Sequence, residues 1–265
     1  GVDGQTERCG LTGYRRAMEL LEEIIDVSTN DGEMAVVVKQ PAPQEGQPGD
    51  HPTVVIFIDA PGIRIATHEF MRKLASAGYR VITPDLHHRQ GRMVHLEPEQ
   101  AVADPSLRDQ VRAWIGAMTD EQIQHDFDRA LAATGADEAP KLGVIGFCLG
   151  ARAVVRAMTR LPDRVVCGAG WHPSFLADDA TDSPHLTVDE IVGELYLGIG
   201  DADEVQSIAM HQRFLDAAES NDNIDVVIWP GADHGFTWPG YATYDEAAST
   251  GSWDHTIAMF ERCLA

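Results

Sequence analysis

The chain has 265 residues, a formal charge of −22 from 42 acidic and 20 basic side chains, and a hydrophobic content of 44%. That is enough apolar material for one sizeable α/β core. The acidic balance repels phosphate backbones and anionic lipid, which argues against nucleic-acid and membrane-surface partners, and no apolar run reaches transmembrane length.

Residues 12–22 read as a short amphipathic helix or an N-terminal arm, which sets residues 1–23 apart. Ile24 to Val27 and Met34 to Val38 flank Asn30-Asp31-Gly32, a hairpin signal. Residues 41–52 form a Pro/Gly/Gln loop. The run Thr53 to Ile58 predicts a buried parallel strand, Thr67 to Ala77 a helix closed by Gly78, and Arg80 to Thr83 a strand stopped by Pro84. Residues 87–105 are a long irregular excursion of the kind used as a lid. Ser106 to Met118 has helical spacing, and Thr119-Asp120-Glu121-Gln122 is a capping box that opens a further helix to about Ala133. Lys141 to Ile145 reads as a strand and Leu149 to Leu161 as a helix. Val165 to Ala169 is the next strand, and residues 171–187 are a second long loop. Glu194 to Leu197 predicts a strand, Glu204 to Ala218 a helix, Ile224 to Trp229 a strand and Tyr244 to Leu264 a C-terminal helix. From Thr53 onward strands alternate with helices. One domain over 1–265 is therefore expected, with a mostly parallel central sheet, helices on both faces and an N-terminal antiparallel hairpin.

Cys9, Cys148, Cys167 and Cys263 are scattered and form no C-x-x-C pair. That pattern fits reduced thiols and a cytoplasmic location better than a disulfide framework or a zinc site. Thr6-Glu7-Arg8-Cys9 is polar and carries no signal-peptide pattern.

The most informative stretch is Val144-Ile145-Gly146-Phe147-Cys148-Leu149-Gly150, an apolar run ending in Gly-x-Cys-x-Gly before a helix. It reads as a nucleophile elbow with cysteine in the place of serine, the alternative being a buried free cysteine at a glycine-rich strand end. At a helix N-terminus the sulfur is favoured as a thiolate. A cysteine nucleophile needs a base, and the base an orienting acid. In an α/β-hydrolase the chain order is nucleophile, acid, base. Downstream, one strand runs into Gly198-Ile199-Gly200-Asp201 and another into Ala232-Asp233-His234-Gly235-Phe236. Cys148, Asp201 and His234 thus satisfy the order, each at a strand end. Asp203 is the reserve acid, unless it or Glu204 caps the next helix.

With Gly78-Tyr79-Arg80-Val81-Ile82-Thr83-Pro84-Asp85-Leu86, the elbow, Gly200-Asp201 and His234-Gly235-Phe236 in place, the chain resembles the dienelactone hydrolase family of α/β-hydrolases from about Met34 to its C-terminus. The resemblance implies hydrolysis of lactones and esters through a Cys-His-Asp triad and a thioester acyl-enzyme. It assigns the oxyanion hole to the backbone amides of Leu149 and Ala60. It also implies an acid after the early buried strand that contacts the nucleophile. Asp59 stands there as a thiol-gating residue, with the reading of a turn initiator before Ala60-Pro61-Gly62 beside it. Family substrates that carry a carboxylate are held by arginines, one shortly after the histidine turn, where this chain has Trp238. Arg89 or Arg92 on the long loop is the remaining arginine candidate. Trp171, Phe236 and Trp238 would wall the pocket for a neutral or aromatic acyl group, unless they are core packing. His172 is a further pocket candidate, whereas Arg152 is expected to pair with a surface acid. His87, His88 and His95 match no metal-ligand spacing.

The expected protein is a cofactor-free cysteine hydrolase without a metal site. Its partner is a small-molecule ester or lactone, and it is a monomer or weak dimer. A thioesterase, a peptidase-like hydrolase or an aryl esterase of the same fold, and a catalytically silent small-molecule-binding homologue, are the alternatives.

Overall fold

The protein is described by a computed structural model over residues 18–43, 50–97, 100, 103–104 and 106–265. Among the described residues eight strands form one sheet: β1 (Leu20–Thr29), β2 (Gly32–Pro41), β3 (Thr53–Phe57), β4 (Arg80–Pro84), β5 (Leu142–Phe147), β6 (Val165–Trp171), β7 (Glu194–Gly200) and β8 (Ile224–Trp229). Their order is β1-β2-β4-β3-β5-β6-β7-β8. The β1–β2 and β2–β4 pairings are antiparallel and all the others parallel. Among the described residues six helices accompany it: α1 (Ile65–Ser76), α2 (Ser106–Gly116), α3 (Asp120–Thr134), α4 (Leu149–Arg160), α5 (Ile208–Ala218) and α6 (Glu246–Leu264).

The hairpin turns at Asn30-Asp31, where Thr29 Oγ1 donates to Gly32 O and accepts from Asp31 N. β1 begins earlier than the sequence suggested. Leu20 to Glu22, expected in an arm or helix, pair with Pro41 to Lys39 of β2. The free edge of β2 supplies ladder partners there, and tertiary pairing overrides the local helical pattern. Residues 1–17 of the expected arm, and Cys9 with them, lie outside the described residues. The capping box forms as its residues require: Thr119 Oγ1 accepts from Gln122 N and Thr119 N donates to Gln122 Oε1. α5 starts at Ile208 and not at Glu204, because the preceding residues form a turn closed by Gln206 N donating to Asp203 Oδ1.

The core strands β3 and β5 are buried throughout, as their continuous apolar runs demand. Alternation on β6 shows helices on both faces. A side chain at Gly168 would meet Met158 and Val154 of α4, whereas Trp171 donates to Thr256 of α6. Chain order reverses between β3 and β5, so their carboxyl ends form the switch-point crevice where open α/β sheets bind ligands.

Two glycines set the geometry of that crevice. A Cβ on Gly146 would stand 2.1 Å from Gly150 O, and one on Gly150 would stand 2.2 Å from Phe57 O. Both obstructions are backbone atoms and cannot rotate away. Gly150→Ala is therefore expected to destabilise the fold by about 3 kcal/mol or more. Urea unfolding checks this, and a variant within about 0.5 kcal/mol of wild type would contradict the close approach.

Candidate active site

Cys148 caps α4 with φ 54° and ψ −118°, a left-handed backbone that a side chain adopts only under strain. The strain is imposed from both sides. Cys148 N donates to Trp171 O at 3.2 Å, and Cys148 O accepts from Ser174 N at 2.9 Å. Its sulfur is half-buried and stands 3.3 Å from Ser174 Oγ. Leu149 is the first residue of α4, so its amide has no intrahelical acceptor. Ala60 follows β3 across the crevice, and its carbonyl is turned back by accepting from His87 Nε2 at 2.8 Å.

His234 sits on the loop after β8, between Gly231 (φ +76°) and Gly235 (φ +81°). Its Nδ1 meets Asp203 Oδ2 at 2.7 Å. The carboxylate is 1% exposed and the imidazole 15%. Burial alone would lower the histidine pKa, but the hydrogen bond to Asp203 and the nearby Cys148 sulfur outweigh it and push the value up to about 10. His172 packs its ring edge-on against His234 at 5.1 Å between centroids and is fully buried. Burial and the neighbouring His234 charge hold it well below the ordinary imidazole range, so it stays neutral.

Asp201, the acid expected from the sequence, does not meet His234. It lies at the exposed tip of the turn, where its Oδ1 accepts from Gly231 N at 2.6 Å and braces the histidine loop. Asp203, two residues on, is turned inward and takes the place expected of Asp201. Asp59 does not reach Cys148 either: its two oxygens accept from Arg64 at 2.5 and 2.7 Å, and Oδ2 also accepts from Trp238 Nε1 at 3.1 Å.

Trp171, Phe236 and Trp238 are 1%, 0% and 3% exposed and form core, not a pocket wall. Trp171 and Trp238 pack edge-on or tilted against Phe147 and Phe70, behind the Cys148 turn. Arg89 is not an open anion site: it donates to Asp126 at 2.7 and 3.0 Å and to Asp31 at 2.7 Å. Arg92 pairs with Asp26, and Arg152 with Asp120 and Asp178. His88 meets the buried Asp126 and His95 its own loop at Met93 O, so the three histidines of that loop serve separate anchors.

The sequence model of the "Dienelactone hydrolase family" matches residues 35–264. The chain belongs to the dienelactone hydrolase family. It is accordingly an ester or lactone hydrolase. A protein of Methylorubrum extorquens, provisionally named a carboxymethylenebutenolidase, is 29% identical over 73% of this chain, which spans 65% of that relative. A carboxymethylenebutenolidase of Rhodococcus opacus is 26% identical over 82% of this chain and 83% of its own. In fold the chain is similar to a provisionally named dienelactone hydrolase of Klebsiella pneumoniae, with TM-score 0.76, 20% identity, and coverage of 92% and 99%. It is also similar to a dienelactone hydrolase-like promiscuous phosphotriesterase from metagenomic libraries, with TM-score 0.73, 20% identity, and coverage of 93% and 99%.

Ser174 is the site residue that sequence reasoning missed. Nothing in Trp171-His172-Pro173-Ser174 marks it, and only the fold of the second long loop brings its hydroxyl to the sulfur. The choice between the two aspartates is testable. Asp203→Asn is expected to lower kcat by roughly 10²–10⁴, while Asp201→Asn stays within a few-fold of wild type; steady-state kinetics on a chromogenic ester decide, and the reverse pattern would refute the assignment. The raised histidine pKa carries a sign. His234 stabilises the fold fully below its ordinary 6.5, and that contribution is lost as pH rises toward about 10. The alkaline limb of kcat/KM is therefore expected near pH 10, and a limb near the ordinary imidazole value would contradict the buried pair.

Proposed function

We propose that the chain hydrolyses a neutral ester or lactone through a thioester on Cys148, with His234 as the proton carrier and Asp203 as its orienting acid. The observation that carries this reading is the buried Asp203–His234 hydrogen bond beside the elbow cysteine. Cys148 Sγ attacks the carbonyl carbon, and the amides of Leu149 and Ala60 receive the developing oxyanion. The acyl C–O bond then breaks, and His234 gives its proton to the departing alkoxide. Water attacks the thioester and passes one proton to His234. The C–S bond breaks, the carboxylic acid leaves, and the thiolate–imidazolium pair is restored. Ser174 Oγ is placed to donate to the thiolate between turnovers.

A neutral substrate is favoured by the lining of the space beside the elbow. An open cavity of about 330 Å³ there is lined by Leu149, Phe175, Ile115, Met118 and Ile123, with Thr119, Asp120, Asp178 and Arg152 as its polar side. Arg152 at its rim is already bound by Asp120 and Asp178, so its charge is spent. This cavity reaches the elbow at Leu149, next to Cys148, whereas three larger cavities, of about 390, 650 and 790 Å³, include neither Leu149 nor any of Cys148, Asp203 and His234 in their walls. The reading is of a single domain over 1–265. It includes a cytoplasmic setting: Cys148, Cys167 and Cys263 are free, and among the described residues no helix is long and apolar enough to cross a membrane.

Cys148→Ala is expected to lower turnover by about 10⁴ or more without shifting the thermal midpoint. Short-chain p-nitrophenyl esters are expected to outrun a carboxylated dienelactone, and iodoacetamide to abolish both. Activity in Cys148→Ala would sink the mechanism, and a preference for the carboxylated lactone would sink the substrate class. A thioester panel separates the thioesterase alternative.

A further inference from the structure

Arg64 is 2% exposed and has no counterpart in the catalytic scheme above. Its guanidinium nevertheless makes a dense set of contacts. Nη1 donates to Asp59 Oδ1 at 2.5 Å and to Gly62 O at 3.1 Å, and Nη2 donates to Asp59 Oδ2 at 2.7 Å. Nε donates to Tyr241 Oη at 2.7 Å. The cation also lies 5.0 Å from the Trp238 ring centroid and 5.4 Å from that of Tyr241. Trp238 Nε1 completes the ring of contacts by donating to Asp59 Oδ2.

These contacts join two loops that lie far apart in the chain. Residues 59–64 leave β3 and include Ala60, whose amide the proposed mechanism assigns to the oxyanion. Residues 234–241 leave β8 and include His234. We propose that the Asp59–Arg64 pair, clasped to Trp238 and Tyr241, is a positioning device that fixes the Ala60 loop relative to the His234 loop. It rests on the hydrolase reading above. Stability alone does not account for the pair, since a buried ion pair is commonly replaceable by well-packed apolar residues at no loss. What apolar residues cannot supply is orientation. A bidentate guanidinium–carboxylate fork fixes two planes and a distance, and an oxyanion donor is effective only when held within a fraction of an ångström of its target. The pair also occupies both oxygens of Asp59. The acid beside the crevice therefore acts on the loop and not on the sulfur.

Three variants test this in the intact chain: Tyr241→Phe, which removes one contact from a half-buried position; Arg64→Lys, which keeps the charge and loses the fork; and Asp59→Asn. The expected result is a fall in kcat of about tenfold for Tyr241→Phe and about 10²-fold for the other two, with KM on a neutral ester and the rate of Cys148 alkylation by iodoacetamide unchanged. Asp59→Asn leaves a buried guanidinium uncompensated and can prevent folding, so Tyr241→Phe, with its thermal midpoint and circular dichroism recorded, carries the test in that event. Wild-type kcat in folded Tyr241→Phe and Arg64→Lys would overturn the proposal and leave the pair a packing feature, whatever the change in midpoint. An altered alkylation rate in folded Asp59→Asn would also overturn it, by showing that Asp59 acts on the thiol directly. Cys148→Ala separates the two levels: if it is inactive while the clasp variants match wild type, only the positioning role fails, and if it is active, the hydrolase mechanism itself fails.

Discussion

The backbone of α4 comes so close to the end of β3 that a single methyl group at Gly150 would collide with the Phe57 carbonyl. Much of the site follows from that approach. It sets the helix N-terminus, with the Leu149 amide unpaired, directly opposite the loop that carries Ala60. It holds Cys148 in a left-handed conformation at the mouth of the switch-point crevice. The Trp171 and Ser174 backbone hydrogen bonds hold that turn in its strained form and tie the start of the second long loop to the elbow.

Charge is handled in a consistent way around this crevice. The chain carries 42 acidic residues against 20 basic ones, yet the arginines near the site are bound to carboxylates: Arg64 to Asp59, Arg89 to Asp126, and Arg152 to Asp120 and Asp178. A guanidinium already matched by a carboxylate has little left to offer a substrate anion. The position after the histidine turn points the same way. Trp238 stands there, packed on Phe147 and donating to Asp59, where the family resemblance implies an arginine.

The fold was largely legible because its signals are local and redundant. Continuous apolar runs mark β3 and β5, the Thr119–Gln122 box marks the start of α3, and Asn30-Asp31-Gly32 marks the hairpin. The start of β1 was not legible, because residues 20–22 become strand only through partners on β2. Aromatic side chains misled in a different way. Trp171, Phe236 and Trp238 flank catalytic segments, but adjacency in sequence does not say on which side of the sheet a ring falls, and all three fall in the core.

The sequence by itself determined the candidate nucleophile, the candidate base and their order, since a Gly-x-Cys-x-Gly turn and a histidine after the last strand are each written in contiguous residues. It did not determine the acid. Asp201 and Asp203 lie on one turn, and their residue type and spacing are equally suitable. Only the tertiary structure separated them, by burying Asp203 against His234 and Gln206 N and leaving Asp201 exposed to brace Gly231. The same holds for Ser174, Arg64 and the task of Asp59. Each depends on which side chain a second, distant loop brings within hydrogen-bonding reach, and no local pattern encodes that distance.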